Sequence, residues 1–140
     1  MRKSKTKQSV EIENSLIQAI PRSELEGLMP HLESVNLVRG QVLYEPFDAV
    51  SYVYFPINSL ISLISLAEDG ASLEIGMMDS EGAAGLMALI GPRTVPYRAL
   101  VQVPGTALRV KLEVLRNLFE KRQVLRHQLL LGPQFRRLHQ

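Results

Sequence analysis

A chain of 140 residues, 46% hydrophobic and 21% charged, is long enough to bury one core and has the residue usage of an ordinary globular domain. It has no cysteine, which excludes disulfides, thiolate zinc sites, cysteine-held iron–sulfur clusters and a catalytic thiol. The net charge of +2 is unevenly spread: residues 1–7 hold four basic groups and no acid, residues 111–140 hold seven basic and two acidic groups, and the remainder carries −7. A basic tail behind an acidic body is able to steer toward nucleic acid, but taken alone its simpler reading is a solvated helix face. The longest apolar region, "LISLISLA", is broken by serines and falls short of the ~20 residues of a membrane span. The basic N-terminus is followed by no apolar run, so it does not read as a secretory signal, and a cytoplasmic protein is expected.

In chain order, residues 1–10 read as a disordered lead. Asn14 caps a short helix with Leu16, Ile17 and Ile20 on one side, and Pro21 ends it. Ser23, with Glu26 three residues on, has capping-box spacing for a second helix, whose buried stripe is Leu25, Leu28, Met29 and Leu32. From residue 34 the period shifts toward two. The runs "SVNLV", "QVLYE", "SYVYF", "SLISLISL", "SLEIGMM", "RALVQV" and "ALRV" are short, rich in Val, Ile, Leu and Tyr, and separated by Gly, Pro, Asn and Asp. Strands at this spacing predict a sandwich or barrel. Between the fourth and fifth runs, Asp69-Gly70 is suited to the positive φ values of a tight hairpin turn. After the last strand, "KLEVLRNLFEKRQVLRHQLLL" is helical, with Leu112, Leu115, Leu118 and Phe119 on one face and then Val124, Leu125, Leu129 and Leu130. Gly132-Pro133 interrupts it. The expected division is a lead (1–10), helices plus β-roll (11–110) and a helical segment (111–140).

This order resembles the cyclic-nucleotide-binding domain of Crp/Fnr-type bacterial transcription regulators. "LVRGQVLYEP" resembles the family's early strand pair, "VYFPINSLISLISLAEDGASLEIGMM" its central hairpin, "EGAAGLMALIG" its phosphate-binding cassette, "YRALVQVPGTALRV" the strands after it, and the last helix the start of the dimerisation helix. The resemblance implies a mainly β double-stranded β-helix, or jelly roll, with flanking helices, an internal ligand pocket and a homodimer through the terminal helix. In complete members a helix-turn-helix domain follows. The chain ends where that domain is expected to begin, so it reads as a sensor half, and DNA binding is not expected of it.

The implied pocket is built from Gly82, Ala83, Ala84, Gly85 and Leu86, the backbone cradle, and from Tyr97, Arg98 and Ala99 on the opposite wall. Backbone N–H groups at a helix start, an arginine fork and a ribose acceptor are what a cyclic nucleotide needs. Two of these are altered. The family's cassette glutamate corresponds to Ala83, with Glu81 offset, and its phosphate arginine corresponds to Tyr97. Arg98 is displaced by one residue, which on a strand reverses side-chain direction. Arg93, in "GPRTVP", is a second candidate cation. Phe47 replaces a corner where the family has glycine followed by an acid, which implies an altered turn or a packing ring. Simple cyclic AMP or cyclic GMP binding is therefore not expected, and an effector, if there is one, is unidentified.

Other chemistries find little support. His31, His127 and His139 lack metal-ligand spacing, and no cofactor or metal is expected. There is no nucleophile elbow. Ser59, Ser62 and Ser65 interrupt an apolar face, while Glu74 and Asp79 do not form a convincing acid/base pair. The segment "GLMALI" reads as core rather than lid. The leucines of the terminal helix, Leu115, Leu118, Val124, Leu125, Leu129 and Leu130, are the expected dimer face. The leading expectation is a non-enzymatic sensor domain. The alternative is a ligand-free interaction module with the same fold.

Overall fold

Helix α1 (Ser15–Gln18) starts where a side chain replaces missing backbone partners. Asn14 Oδ1 accepts from the amides of Leu16 and Ile17 at 3.1 and 3.3 Å. The computed structural model describes residues 13–131; the lead, Gly132-Pro133 and His139 lie outside them. Pro21 separates α1 from α2 (Arg22–Leu28), which runs into a 3₁₀ turn, Met29–His31. The capping box expected at Ser23 does not form. Pro21 itself stands at the N-cap with φ −56°, no side chain caps the helix, and Ser23 lies inside its first turn. A proline with preset φ opens the helix two residues earlier than a cap at Ser23 would.

Seven strands follow in the described residues: β1 (Glu33–Leu37), β2 (Val42–Tyr44), β3 (Tyr52–Pro56), β4 (Leu60–Leu66), β5 (Ser72–Met78), β6 (Arg98–Val103) and β7 (Gly105–Lys111). They form two antiparallel sheets, ordered β1-β7-β3 and β2-β6-β4-β5. Each run with period near two in the sequence became a strand. Ile61 and Leu63 of β4, Ala99 and Val101 of β6, and Ala107, Leu108 and Val110 of β7 are buried, together with Val53 and Phe55 of β3. The β4–β5 hairpin differs from the two-residue turn expected. Gly70 donates to the Ala67 carbonyl at 3.0 Å, and the Ala67 and Ala71 backbones pair at 2.8 Å. Of Asp69 and Gly70, only Gly70 has positive φ, at +88°. Asp69 contributes through its carboxylate, which accepts from the Ala71 amide at 3.0 Å.

The terminal segment is two helices, not one: α3 (Leu112–Lys121) and α4 (Gln123–Leu130), with Arg122 between them at φ −118° and ψ 102°. Leu112, Leu115 and Phe119 of α3 and Leu125 and Leu129 of α4 are buried within the chain's own core. Leu115, Leu125 and Leu129 are thus spent on the fold and are removed from the expected dimer face. Leu118 is half-buried against the core, whereas Val124 and Leu130 are 46% and 38% exposed. No helix in the described residues is long and apolar enough to cross a membrane.

Candidate functional site

The cassette enters the fold by backbone pairing with β3. The Tyr54 amide donates to the Ala84 carbonyl at 3.0 Å, and the Ala84 amide returns the bond to Tyr54 at 2.8 Å. The Gly82 amide donates to the Asp79 carbonyl at 3.1 Å, and Asp79 Oδ1 accepts from the Glu81 amide at 2.9 Å. Two of the amides expected to cradle an anion, those of Gly82 and Ala84, are therefore committed within the protein. Gly85 sits at φ +100°, and a Cβ there would lie 3.3 Å from the Tyr52 carbonyl, so a side chain is opposed by both strain and contact. The segment after it is a single 3₁₀ turn, Leu86–Leu89, rather than an α-helix. So short a turn aligns few peptide dipoles and offers an anion little. Ala83, Ala84, Leu86 and Ala88 are fully buried, and "GLMALI" is mostly core, as its composition implies.

The opposite wall is decided by strand parity. Tyr44 pairs with Ala99 and Leu63 with Ala99; all three side chains are buried and face the interior. Tyr97, two residues before Ala99, shares that direction. Its ring meets Tyr44 with centroids 6.3 Å apart and planes tilted by 50°, a favourable aromatic arrangement. Arg98 points the other way. It pairs with Ile64, and its Nε donates to Glu45 Oε1 at 2.7 Å, with both side chains partly in solvent. Arg98, which the resemblance places on the opposite wall, therefore faces away from Tyr97 and Ala99, because one step along a strand reverses side-chain direction. Arg93 also leaves the cassette, forming an ion pair with Glu113 at the start of α3.

The Tyr44 hydroxyl is buried, with the Tyr97 hydroxyl as its polar neighbour. Burial first, and then the neighbouring Tyr97 hydroxyl, push its pKa well above the ordinary phenol value. Tyr44→Phe is accordingly expected to leave stability at pH 8 within about 1 kcal/mol, because the buried ring remains and only a hydroxyl facing Tyr97 is removed. The sign of the pH dependence follows from the raised value. The folded state holds the proton more tightly than the unfolded chain, so the Tyr44 contribution is complete below pH 10.0, the phenol reference value, and is lost as pH rises above it. Denaturant unfolding at pH 8 and above pH 10 checks both points; the alkaline fall should shrink in Tyr44→Phe.

Elsewhere, the buried Ser62 hydroxyl donates to Glu74 Oε1 at 2.8 Å, with Gln102 Oε1 at 3.3 Å, and Ser59 Oγ donates to the Thr106 carbonyl at 3.0 Å. Ser62 ties β4 to β5 and β6, and Ser59, just before β4, ties that turn to β7. Among the described residues, no three His, Asp or Glu side chains gather as a metal site. Phe47 keeps the backbone that a glycine would supply, at φ +67°, and the residue is 71% exposed, so it is not spent on the core. Two contributors were missed from the sequence, Tyr44 as the inward neighbour of Tyr97 and Glu45 as the partner of Arg98. The pairing of Tyr44 with Ala99, needed to find both, is a tertiary fact.

Residues 34–122 match the model of the cyclic nucleotide-binding domain family, and the chain belongs to that family. Its structural neighbours include sensor domains of bacterial transcription regulators. The sensor domain of the transcriptional regulator DNR from Pseudomonas aeruginosa is similar over 99% of this chain and 93% of its own, with TM-score 0.76 and 18% identity. The N-terminal domain of a transcriptional regulator from Streptomyces coelicolor A3(2) is similar over 93% and 90%, with TM-score 0.67 and 20% identity. A regulatory subunit of a cAMP-independent protein kinase A from Trypanosoma brucei is similar over 99% of this chain and 51% of its own, with TM-score 0.77 and 9% identity. No curated protein sequence matches the chain.

Proposed function

We propose that the chain is the ligand-sensing regulatory, non-catalytic domain of a Crp/Fnr-like transcription regulator whose pocket no longer takes a simple cyclic nucleotide. The observation that carries this reading is the exchange of direction at the pocket wall: Tyr97 faces inward against Tyr44, while the Arg98 guanidinium faces outward onto Glu45. A nucleotide phosphate entering the cassette would meet a phenol where the family presents a cation, and Ala83 offers the ribose no acceptor. Each lost charge-assisted bond removes about 1.5–3 kcal/mol, together two to four orders of magnitude in affinity. A kinase regulatory subunit described as cAMP-independent shares the fold, which agrees with a roll retained without that response. Effector binding would act by shifting the packing of α3 and α4 against the roll, in a cytoplasmic homodimer joined through the face of Leu118, Val124 and Leu130.

The test is a thermal-melting titration with cyclic AMP, cyclic GMP and cyclic dinucleotides. No saturable rise in Tm is expected with the first two; a strong rise with either overturns the reading of Ala83 and Tyr97. A second reading, a ligand-free interaction module, is favoured by the commitment of the Gly82 and Ala84 amides within the protein. It predicts no shift with any member of the panel.

A further inference from the structure

Outside the roll, where β3, β7 and α3 meet, lies a groove of about 460 Å³, a size suited to a small molecule. None of Gly82, Ala83, Ala84, Leu86 or Tyr97 lines it. Its walls include Val50, Ser51, Tyr52, Arg93, Lys111 and Glu113, and main-chain bonds hold them in place. The Val50 amide donates to the Arg93 carbonyl at 2.8 Å, the Leu112 amide donates to the Ser51 carbonyl at 2.9 Å, and Tyr52 pairs with Lys111 across the sheet. Two cations, Arg93 and Lys111, thus reach one concavity from separate, backbone-anchored segments. The ten-residue helix α3 begins in the same wall, with its first amide already taken by the Ser51 carbonyl.

The one acid in the wall is Glu113, and it is folded onto Arg93 as an ion pair. The two side chains are 52% and 62% exposed, so the pair is weakly held and open to exchange. Glu113 thereby supplies, from within the chain, the carboxylate that faces Arg93 in a groove also lined by Lys111. We propose that this groove is a binding site for a compact anion, a carboxylate or a phosphate, which replaces Glu113 on Arg93 and is held from the other side by Lys111. Ser51 and Tyr52 also line the groove. The site touches the first residues of α3, the element that joins the roll to α4, so its occupancy would bear on the same helices as an effector in the roll. It stands independently of whether the cassette binds anything.

The test uses the ¹⁵N-labelled full chain, titrated at constant ionic strength with inorganic phosphate and, separately, with citrate; sodium chloride is the control. Saturable amide shifts at Ser51, Tyr52 and Glu113 are expected with at least one of the two, and which one responds names the anion source. Arg93→Ala and Lys111→Ala should each weaken binding about tenfold. Glu113→Gln should tighten it roughly threefold or more, because the internal competitor loses its charge. Arg39→Ala, remote and exposed, should change nothing. No saturable shift with either anion overturns the site. Binding that survives both cation substitutions marks an adventitious ion only and also overturns it. Weaker binding in Glu113→Gln overturns the exchange.

Discussion

Asn14→Ala is expected to lower the unfolding free energy by about 3 kcal/mol, an unusually large loss for a polar side chain on a four-residue helix. Asn14 is fully buried and works in both directions. Its Oδ1 caps α1, accepting from Leu16 and Ile17. Its Nδ2 donates to the Pro56 carbonyl at 2.7 Å and the Gly82 carbonyl at 3.1 Å. Loss of a cap costs about 1 kcal/mol, and each buried carbonyl left without its donor adds about 1 kcal/mol or more. One amide therefore joins the N-terminal helix, the end of β3 and the first glycine of the cassette, and the adjacent Ser15 amide reinforces the junction by donating to the Ser80 carbonyl at 2.7 Å. Asn14→Asp should be worse than alanine, because it retains the cap but turns a buried carboxylate toward two carbonyl oxygens. Denaturant unfolding of the three proteins measures this. A loss under about 1 kcal/mol in the alanine variant, or an aspartate variant as stable as the parent, contradicts the assignment.

Leu125→Ala should cost about 3 kcal/mol by opening a cavity in the core, whereas Val124→Asp, one residue earlier, should leave monomer stability within about 0.5 kcal/mol. Leu125 is fully buried within one chain and Val124 is 46% exposed. The two also separate folding from association. If the outer face of α4 joins two copies, Val124→Asp and Leu130→Asp should shift sedimentation toward monomer without lowering the Tm extrapolated to low concentration. If Val124→Asp unfolds the chain, or Leu125→Ala leaves its stability unchanged, the burial described for α4 is wrong. A parent protein that sediments as a strict monomer defeats the proposed dimer.

The strand order illustrates how far local pattern reaches. Each of the seven runs is short, β-branched or aromatic, and bounded by a turn former, and each became a strand within a residue or two of its reading. The opposed directions of Tyr97 and Arg98 were only partly legible: a period of two sets them apart, yet the resemblance puts Arg98 on the pocket wall, and its bond to Glu45 shows it facing the other way. The cap at Asn14 was legible as a cap. Its amide ties to Pro56 and Gly82 were not, since those residues are 42 and 68 positions away.

The terminal helices mark the boundary most sharply. Between Leu112 and Leu131 there is no glycine or proline, and intrinsic propensity favours one uninterrupted helix. The chain nevertheless turns at Arg122. There its guanidinium lies 3.3 Å from Glu24 Oε2 and fills the space where a Cβ on Gly27 would stand, 2.9 Å from Nη2; the turn lets Leu125 and Leu129 bury against the domain. The sequence by itself determined the strands and the first cap, because these depend on neighbours a few positions apart. The bend, the choice of leucines spent on the core, and the meeting of Arg93, Lys111 and Glu113 were decided only by the tertiary structure. Each is settled by burial and charge contacts between segments whose separation along the chain leaves no periodic trace.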